Sequence, residues 1–122
     1  MRLGSFYATI NHGINEIEIR VYRGQRSRSP FSKWLASQKD KRTVAIIQAR
    51  LNRIRLGNFG DTKRLGDGVE ELRIDIGPGY RIYFGRDGRA VVVLLCAGSK
   101  QTQRKDIETA RALWREYLGI QD

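Results

Sequence analysis

Residues 69–84, VEELRIDIGPGYRIYF, constrain the fold more than any other stretch of the chain. Leu72, Ile74 and Ile76 alternate with Glu71, Arg73 and Asp75. Beyond Gly77, Pro78 and Gly79, Tyr80, Ile82 and Phe84 alternate with Arg81 and Tyr83. Period-2 alternation on both sides of a Gly/Pro turn predicts a β-hairpin with one buried face. With residues 77–79 as the turn, Ile76 faces Tyr80, Ile74 faces Ile82 and Leu72 faces Phe84. On the other face Asp75 meets Arg81 and Arg73 meets Tyr83. A one-residue slip would mix the two faces, so pattern and turn agree on the parity. The hairpin offers a polar face with two arginines and a tyrosine. Taken alone, that is a solvated sheet face with an Asp75–Arg81 pair.

The other elements arrange themselves around this hairpin. Residues 1–15 carry Gly4, Asn11, Gly13 and Asn15, which break any period; they are expected to be a flexible leader with a short strand at 6–10. The lone His12 sits in it and carries no catalytic expectation. Residues 16–122 form the single domain. Ile17, Ile19 and Val21 alternate with Glu18 and Arg20, a first strand. Ser29-Pro30 reads as N-cap and first helical residue, opening a short helix through Phe31, Trp34 and Leu35. A longer helix opens near Asp40, with Val44, Ile47, Leu51 and Ile54 as its apolar stripe and Gly57 as its stop. Residues 58–68 read as a Gly-rich loop without the spacing of a phosphate-binding P-loop. Asp87-Gly88 is a two-residue turn, and residues 90–97, AVVVLLCA, form a strand covered on both faces. In that strand Val92 and Leu94 are expected to lie near Tyr83 and Arg81, as an apolar floor beside the cations. A final helix runs from about Thr102 to Leu118 on Ile107, Ala110 and Trp114. The order β-α-α-β-β-β-α predicts an α+β domain: a four-stranded antiparallel sheet, two N-terminal helices packed on it and a C-terminal helix. The apolar residues of strands and helices, Val93 and Trp114 included, are expected in one core.

Charge is uneven. The chain carries +10 overall with a pI near 10.4. Residues 20–64 hold 13 Lys/Arg against two acids, net +11, whereas residues 65–122 hold nine of each sign. A block of this kind suits a phosphate backbone or an acidic partner. With no apolar run near 18 residues, no membrane span is expected. One cysteine, Cys96, allows no internal disulfide, and the cytoplasm is the expected location. No His/Cys/Asp cluster has the spacing of a metal site, and no cofactor is expected.

The stretch LGNFGDTKRLGDGVEELRIDIGPGYRIYF, followed by LLCAGSKQTQRKDIETA, resembles the addiction-module killer proteins, HigB-like members of the RelE/ParE toxin superfamily. The resemblance spans about residues 16–118. The family has two glycines and an Asp before its lysine; here Ala97-Gly98-Ser99 precede Lys100, so an acid is missing beside that lysine. The resemblance implies a RelE-like fold. It also implies a bacterial type II toxin neutralised by a cognate antitoxin, here expected to be a helix-turn-helix protein. RelE-like and HigB-like members cleave mRNA in the ribosome, whereas ParE-like members poison DNA gyrase without enzymatic activity. Fold does not choose between them.

An RNA 2′-hydroxyl attack needs a base, cations on the phosphate and an acid for the 5′-oxygen, which Lys, Arg and Tyr can supply without metal. The arginine of the GYR motif matches Arg81. Arg81 and Arg73 are the candidate phosphate clamps, Lys100 the candidate base, and Tyr83 a candidate proton donor or base-stacking ring. Lys63, Arg64, Arg50, Arg53 and Gln103 are the candidate RNA-binding residues, holding backbone by salt-sensitive contacts. The convergent Arg73, Arg81 and Lys100 favour a ribosome-dependent endoribonuclease over a gyrase inhibitor.

Overall fold

A computed structural model of the chain describes residues 16–24 and 29–119. The expected leader 1–15, its strand at 6–10 and His12 lie outside the described residues. The elements are β1 (Glu18–Val21), α1 (Pro30–Ala36), α2 (Lys41–Arg55), β2 (Thr62–Gly66), β3 (Val69–Ile74), β4 (Tyr80–Asp87), β5 (Val91–Ser99), a 3₁₀ turn (Lys100–Thr102) and α3 (Gln103–Tyr117).

Both N-terminal helices start where side-chain chemistry dictates. Ser29 Oγ accepts from the Ser32 amide at 3.0 Å ahead of Pro30, and Asp40 Oδ1 accepts from the Arg42 amide at 3.0 Å. Each cap satisfies an amide the helix leaves unpaired, a contribution of about 1 kcal/mol. The inward stripe of α2 is Thr43, Ile47, Leu51 and Ile54; Val44, one residue away from the stripe, is half-buried.

The sheet has five strands, not four, in the order β1-β5-β4-β3-β2. It is mixed, because β1 runs parallel to β5, Glu18 opposite Val91. The extra strand, β2, falls in the stretch read as a loop. Lys63 and Arg64 are exposed there and no apolar alternation marks it, because an edge strand with charged side chains needs little burial. Asp67 (φ 55°) and Gly68 (φ 81°) turn β2 into β3; positive φ at both central residues is the two-residue hairpin turn that Asp-Gly favours.

The central hairpin keeps the expected parity but slips by two residues. Leu72 is opposite Ile82, Arg73 opposite Arg81 and Ile74 opposite Tyr80. Residues 75–79 form a five-residue connection, closed by the Gly79 amide donating to the Ile76 carbonyl at 2.8 Å. Ile76 therefore sits in the loop. A shift of two leaves every side chain on its own face, so Arg81 does point away from Ile82.

The domain has three layers and two cores. One face of the sheet packs Ile19, Leu72, Ile74, Ile82, Phe84, Val92 and Leu94 against Phe31 of α1 and Ile47, Leu51 and Ile54 of α2. The other packs Val69, Tyr83, Val93, Leu95 and Cys96 against Ala110 and Trp114 of α3. Val93 and Trp114 thus belong to a second core. Fully buried aliphatic side chains such as Ile47, Ile54 and Leu95 contribute about 1.5–3 kcal/mol each. Val92 and Leu94, expected as an open floor beside the arginines, face α1 and α2 instead and are 1% exposed. The cause is a β-bulge: Tyr83 pairs with Cys96 but Phe84 pairs with Leu94, leaving Leu95 as the extra residue. An extra residue reverses the parity of everything beyond it.

Candidate cationic site on the sheet

Residues directly opposite one another in antiparallel strands share a face. Lys63, Glu71 and Tyr83 therefore lie in one row across β2, β3 and β4, and Arg73, Arg81 and Gly98 in the next, both on the face that α3 covers. Arg64 pairs with Glu70, which pairs in turn with Phe84, on the opposite face.

Arg81 is the centre of the site. It is 7% exposed. Its Nη1 donates to the Tyr80 carbonyl at 3.0 Å and to Asp75 Oδ1 at 3.4 Å. Its Nε lies 3.9 Å from Glu71 Oε1 without hydrogen-bond geometry. Glu71, 1% exposed, also accepts from Gln103 Nε2 at 2.6 Å. One buried carboxylate thus ties the first residue of α3 to the sheet and sets a counter-charge against the inner side of the guanidinium. Sequence reasoning passed over Glu71; its signal is an acid at an inward position of the hairpin's polar face.

Lys100 joins Arg81 at Gly79. The Lys100 amide donates to the Gly79 carbonyl at 2.8 Å. A Cβ on Gly79 would stand 3.7 Å from Arg81 Nη1 and 3.6 Å from Lys100 Cβ, so both side chains flank the same glycine. Gly79 also has φ +80°, a conformation other residues adopt at a cost. The 3₁₀ turn that presents Lys100 is held by a capping box in which Ser99 Oγ accepts from the Gln101 amide and Thr102 Oγ1 from the Ser99 amide, both at 3.3 Å. Thr102 Oγ1 donates to Asp106 Oδ2 at 2.5 Å. A Cβ on Gly98 would strike Asp106 Oδ2 and Thr102 Oγ1, so any side chain there must displace that hydrogen-bonded pair. The acid missing from the sequence before Lys100 is replaced by Ser99, which builds the turn. Lys100 has no ion-pair partner among the described residues.

Arg73 lies opposite Arg81 and pairs with Asp61 Oδ1 through Nε and Nη2 at 3.2 and 3.0 Å. Tyr83 is close in sequence but closed off. It is fully buried beneath α3, and its hydroxyl has no hydrogen-bond partner. Burial, then the Glu71 carboxylate, pushes its phenol far above the ordinary value. In this position the ring cannot stack on a base.

The candidate RNA-binding residues divide. Lys63 is exposed on the face of Arg81, and Gln103 sits at the buried Glu71. Arg50 turns inward, its Nη1 donating to the Arg73 carbonyl at 3.0 Å. Arg53 is exposed on α2 and Arg64 on the opposite sheet face. Not singled out in the sequence, Arg104 lines a shallow cleft of about 360 Å³ with Gln103, Ile107, Glu108 and Arg111. Arg111 also donates to the Leu65 carbonyl at 2.6 Å, which places this cleft along the flank of α3 that faces β2. Among the described residues no group of three or more His, Cys, Asp or Glu is placed to hold a metal ion, and no helix is long and apolar enough to cross a membrane.

These features define a small basic α+β domain with clustered cations at one end of its sheet. Residues 31–115 match the family described as "Phage derived protein Gp49-like (DUF891)", and the chain belongs to that family, a toxin–antitoxin-related one. A protein of Haemophilus influenzae (strain ATCC 51907 / DSM 11121 / KW20 / Rd), described as "Uncharacterized protein", is 49% identical over 90 residues, which cover 74% of this chain and 90% of that protein.

Proposed function

We propose that the chain is the toxin of a two-protein toxin–antitoxin module and that it cleaves mRNA on the ribosome in the manner of RelE-like and HigB-like toxins. The observation that carries this reading is the meeting of Arg81 and Lys100 at Gly79, with Arg73 directly opposite Arg81. A pure binding surface has no need of cations converging on one point. A phosphodiester does, because charge builds on its oxygens as the 2′-oxygen attacks.

In this reading the RNA 2′-oxygen attacks phosphorus while its proton passes to Lys100 acting as the neutral amine, which thereby becomes the ammonium beside the phosphate. The bond to the 5′-oxygen breaks, and that oxygen takes a proton from the Lys100 ammonium or from water. The products are a 2′,3′-cyclic phosphate and a 5′-hydroxyl. Arg81, held from the inside by Glu71, stabilises the phosphate oxygens, and Arg73 assists. Buried Tyr83 supports the sheet beneath Arg81 instead of donating the proton. Lys63 and Arg104 hold flanking backbone, with Arg53 and Arg64 available to ribosomal RNA on other surfaces. The family relation supports an antitoxin partner, whose acidic groups would meet the same cations.

The test is induction of the protein in cells with mapping of mRNA 5′ ends against reading frame, beside Arg81→Ala and Lys100→Ala variants checked for folding by circular dichroism. Frame-dependent cleavage that falls about 10²–10³-fold in either variant is expected from the loss of one transition-state contact. Full cleavage by the folded double variant removes this site from the mechanism. Growth arrest without mRNA cleavage moves the reading to a gyrase-type inhibitor.

A further inference from the structure

Both candidate clamp arginines are already occupied by carboxylates of their own chain. Asp75, in the loop of the central hairpin, meets Arg81 Nη1 at 3.4 Å, and Asp61, before β2, meets Arg73 Nη2 at 3.0 Å. Arg73 and Arg81 are directly opposite on adjacent strands. Like charges so placed repel, so each needs a counter-ion when no ligand is bound.

The Arg81 pair is lopsided. The Arg81 side chain is 8% exposed and that of Asp75 74%. Arg81 keeps the Tyr80 carbonyl and Glu71 whether or not Asp75 stays. Asp75 has no other partner among the described residues. Removing Asp75 therefore leaves the guanidinium in place with one face open. That face is the one beside Gly79, where the Lys100 side chain also lies.

We infer that Asp75 is a resident stand-in for phosphate: it occupies Arg81 in the free protein and swings out when a phosphate-bearing ligand takes its place between Arg81 and Lys100. The inference deepens the RNA reading by making binding an exchange of one anion for another, with Asp75 setting how strongly a phosphate must compete. An ion pair with one exposed partner is weak, so neutralising Asp75 tightens phosphate binding by about two- to fivefold.

The test uses the full chain and a fluorescent single-stranded RNA with 2′-O-methyl sugars, which binds but cannot be cut. Anisotropy titrations at several salt concentrations compare the unmodified protein with Asp75→Asn, Arg81→Ala and the double variant. Tighter binding in Asp75→Asn at every salt concentration, absent in the Arg81→Ala background, is expected. Equal or weaker binding by Asp75→Asn overturns the inference, and a lowered melting temperature with it assigns Asp75 to bracing the loop. A second measurement reads the site without RNA, by following the Arg81 Nε–H resonance during titration with inorganic phosphate. A larger response in Asp75→Asn with no RNA binding by any variant keeps the exchange and removes the RNA reading. RNA binding with no response to Asp75→Asn in either measurement does the reverse.

Discussion

Gly85→Ala is a one-carbon perturbation with a structurally defined cost. Gly85 lies in the middle of β4 with an ordinary backbone conformation, so no left-handed strain enters. What enters is a collision with α3. A Cβ there would stand 2.5 Å from both Cε3 and Cζ3 of Trp114 and 2.7 Å from Cδ2. Non-bonded carbons rest at about 3.5–4.0 Å, so the indole must retreat by about 1 Å. It has little room to do so. Its ring is stacked on Tyr117 with centroids 5.2 Å apart and rests on Gly68. The displacement therefore passes to the α3 backbone. Overpacking of this size costs about 1–3 kcal/mol, and for a domain near this length about 2 kcal/mol lowers Tm by roughly 5–10 °C. Thermal melting by circular dichroism measures it. A double-mutant cycle isolates the cause: in a Trp114→Ala background the added methyl has nothing to strike, and its cost should largely vanish. A Tm within 1 °C of the parent, or full additivity of the two substitutions, refutes the argument.

Other outcomes follow from the same geometry. Trp114→Ala should cost about 3–5 kcal/mol and weaken the site as well, since α3 begins at the Gln103 that holds Glu71; denaturant melts and RNA anisotropy read the two effects. Glu71→Gln should lower cleavage while leaving Asp75 in place, and a parent-like rate would show that Arg81 needs no inner support. Cys96 is buried beside Asp106, and burial first, then that carboxylate, raises its thiol from 9.0 to about 12; a thiolate-specific reagent at pH 8 should react only as the protein unfolds. Because Cys96 and Tyr83 are both raised in the fold, the unfolded chain loses their protons first, so stability is intact below about pH 9 and should fall as pH rises toward 12. A flat denaturation midpoint across that window would contradict it.

The hairpin was legible because its alternation survives every even shift, and so its faces were right while its pairing was two residues off. Ile76 continues the apolar period into the loop, and nothing in the pattern marks where pairing stops. Asp67-Gly68 is a turn signal lost inside the stretch read as one Gly-rich loop, and the preceding Lys63 and Arg64 hid the strand it closes. AVVVLLCA has no alternation at all, so the bulge at Leu95 left no trace, and with it went the faces of Val92 and Leu94. The parallel pairing of β1 with β5 is a matter of topology that local periodicity does not carry. At the site, Arg81 and Lys100 were legible through strand faces and strand ends. The burial of Tyr83 was not, because it depends on which face α3 chooses. Arg50 looked like surface charge because its sequence position says nothing of the Arg73 carbonyl it reaches.

The pairing of β1 with β5 also governs when the protein can come into being. Glu18 meets Val91, 73 positions later in the chain, and β5 is in turn the strand that carries Ser99 into the Lys100 turn. During synthesis, α1 and α2 emerge long before the strands that bury Phe31, Ile47 and Ile54, and they wait with those side chains uncovered. Contacts of such sequence separation close late. β2, β3 and β4 can pair as they emerge, but β1 joins the sheet only when β5 arrives, and the second core closes only when α3 follows. Arg81 and Gly79 therefore meet Lys100 only after β5 has paired with β4. Until residue 100 has emerged the cationic site does not exist, and only then is there a site for any partner to cover.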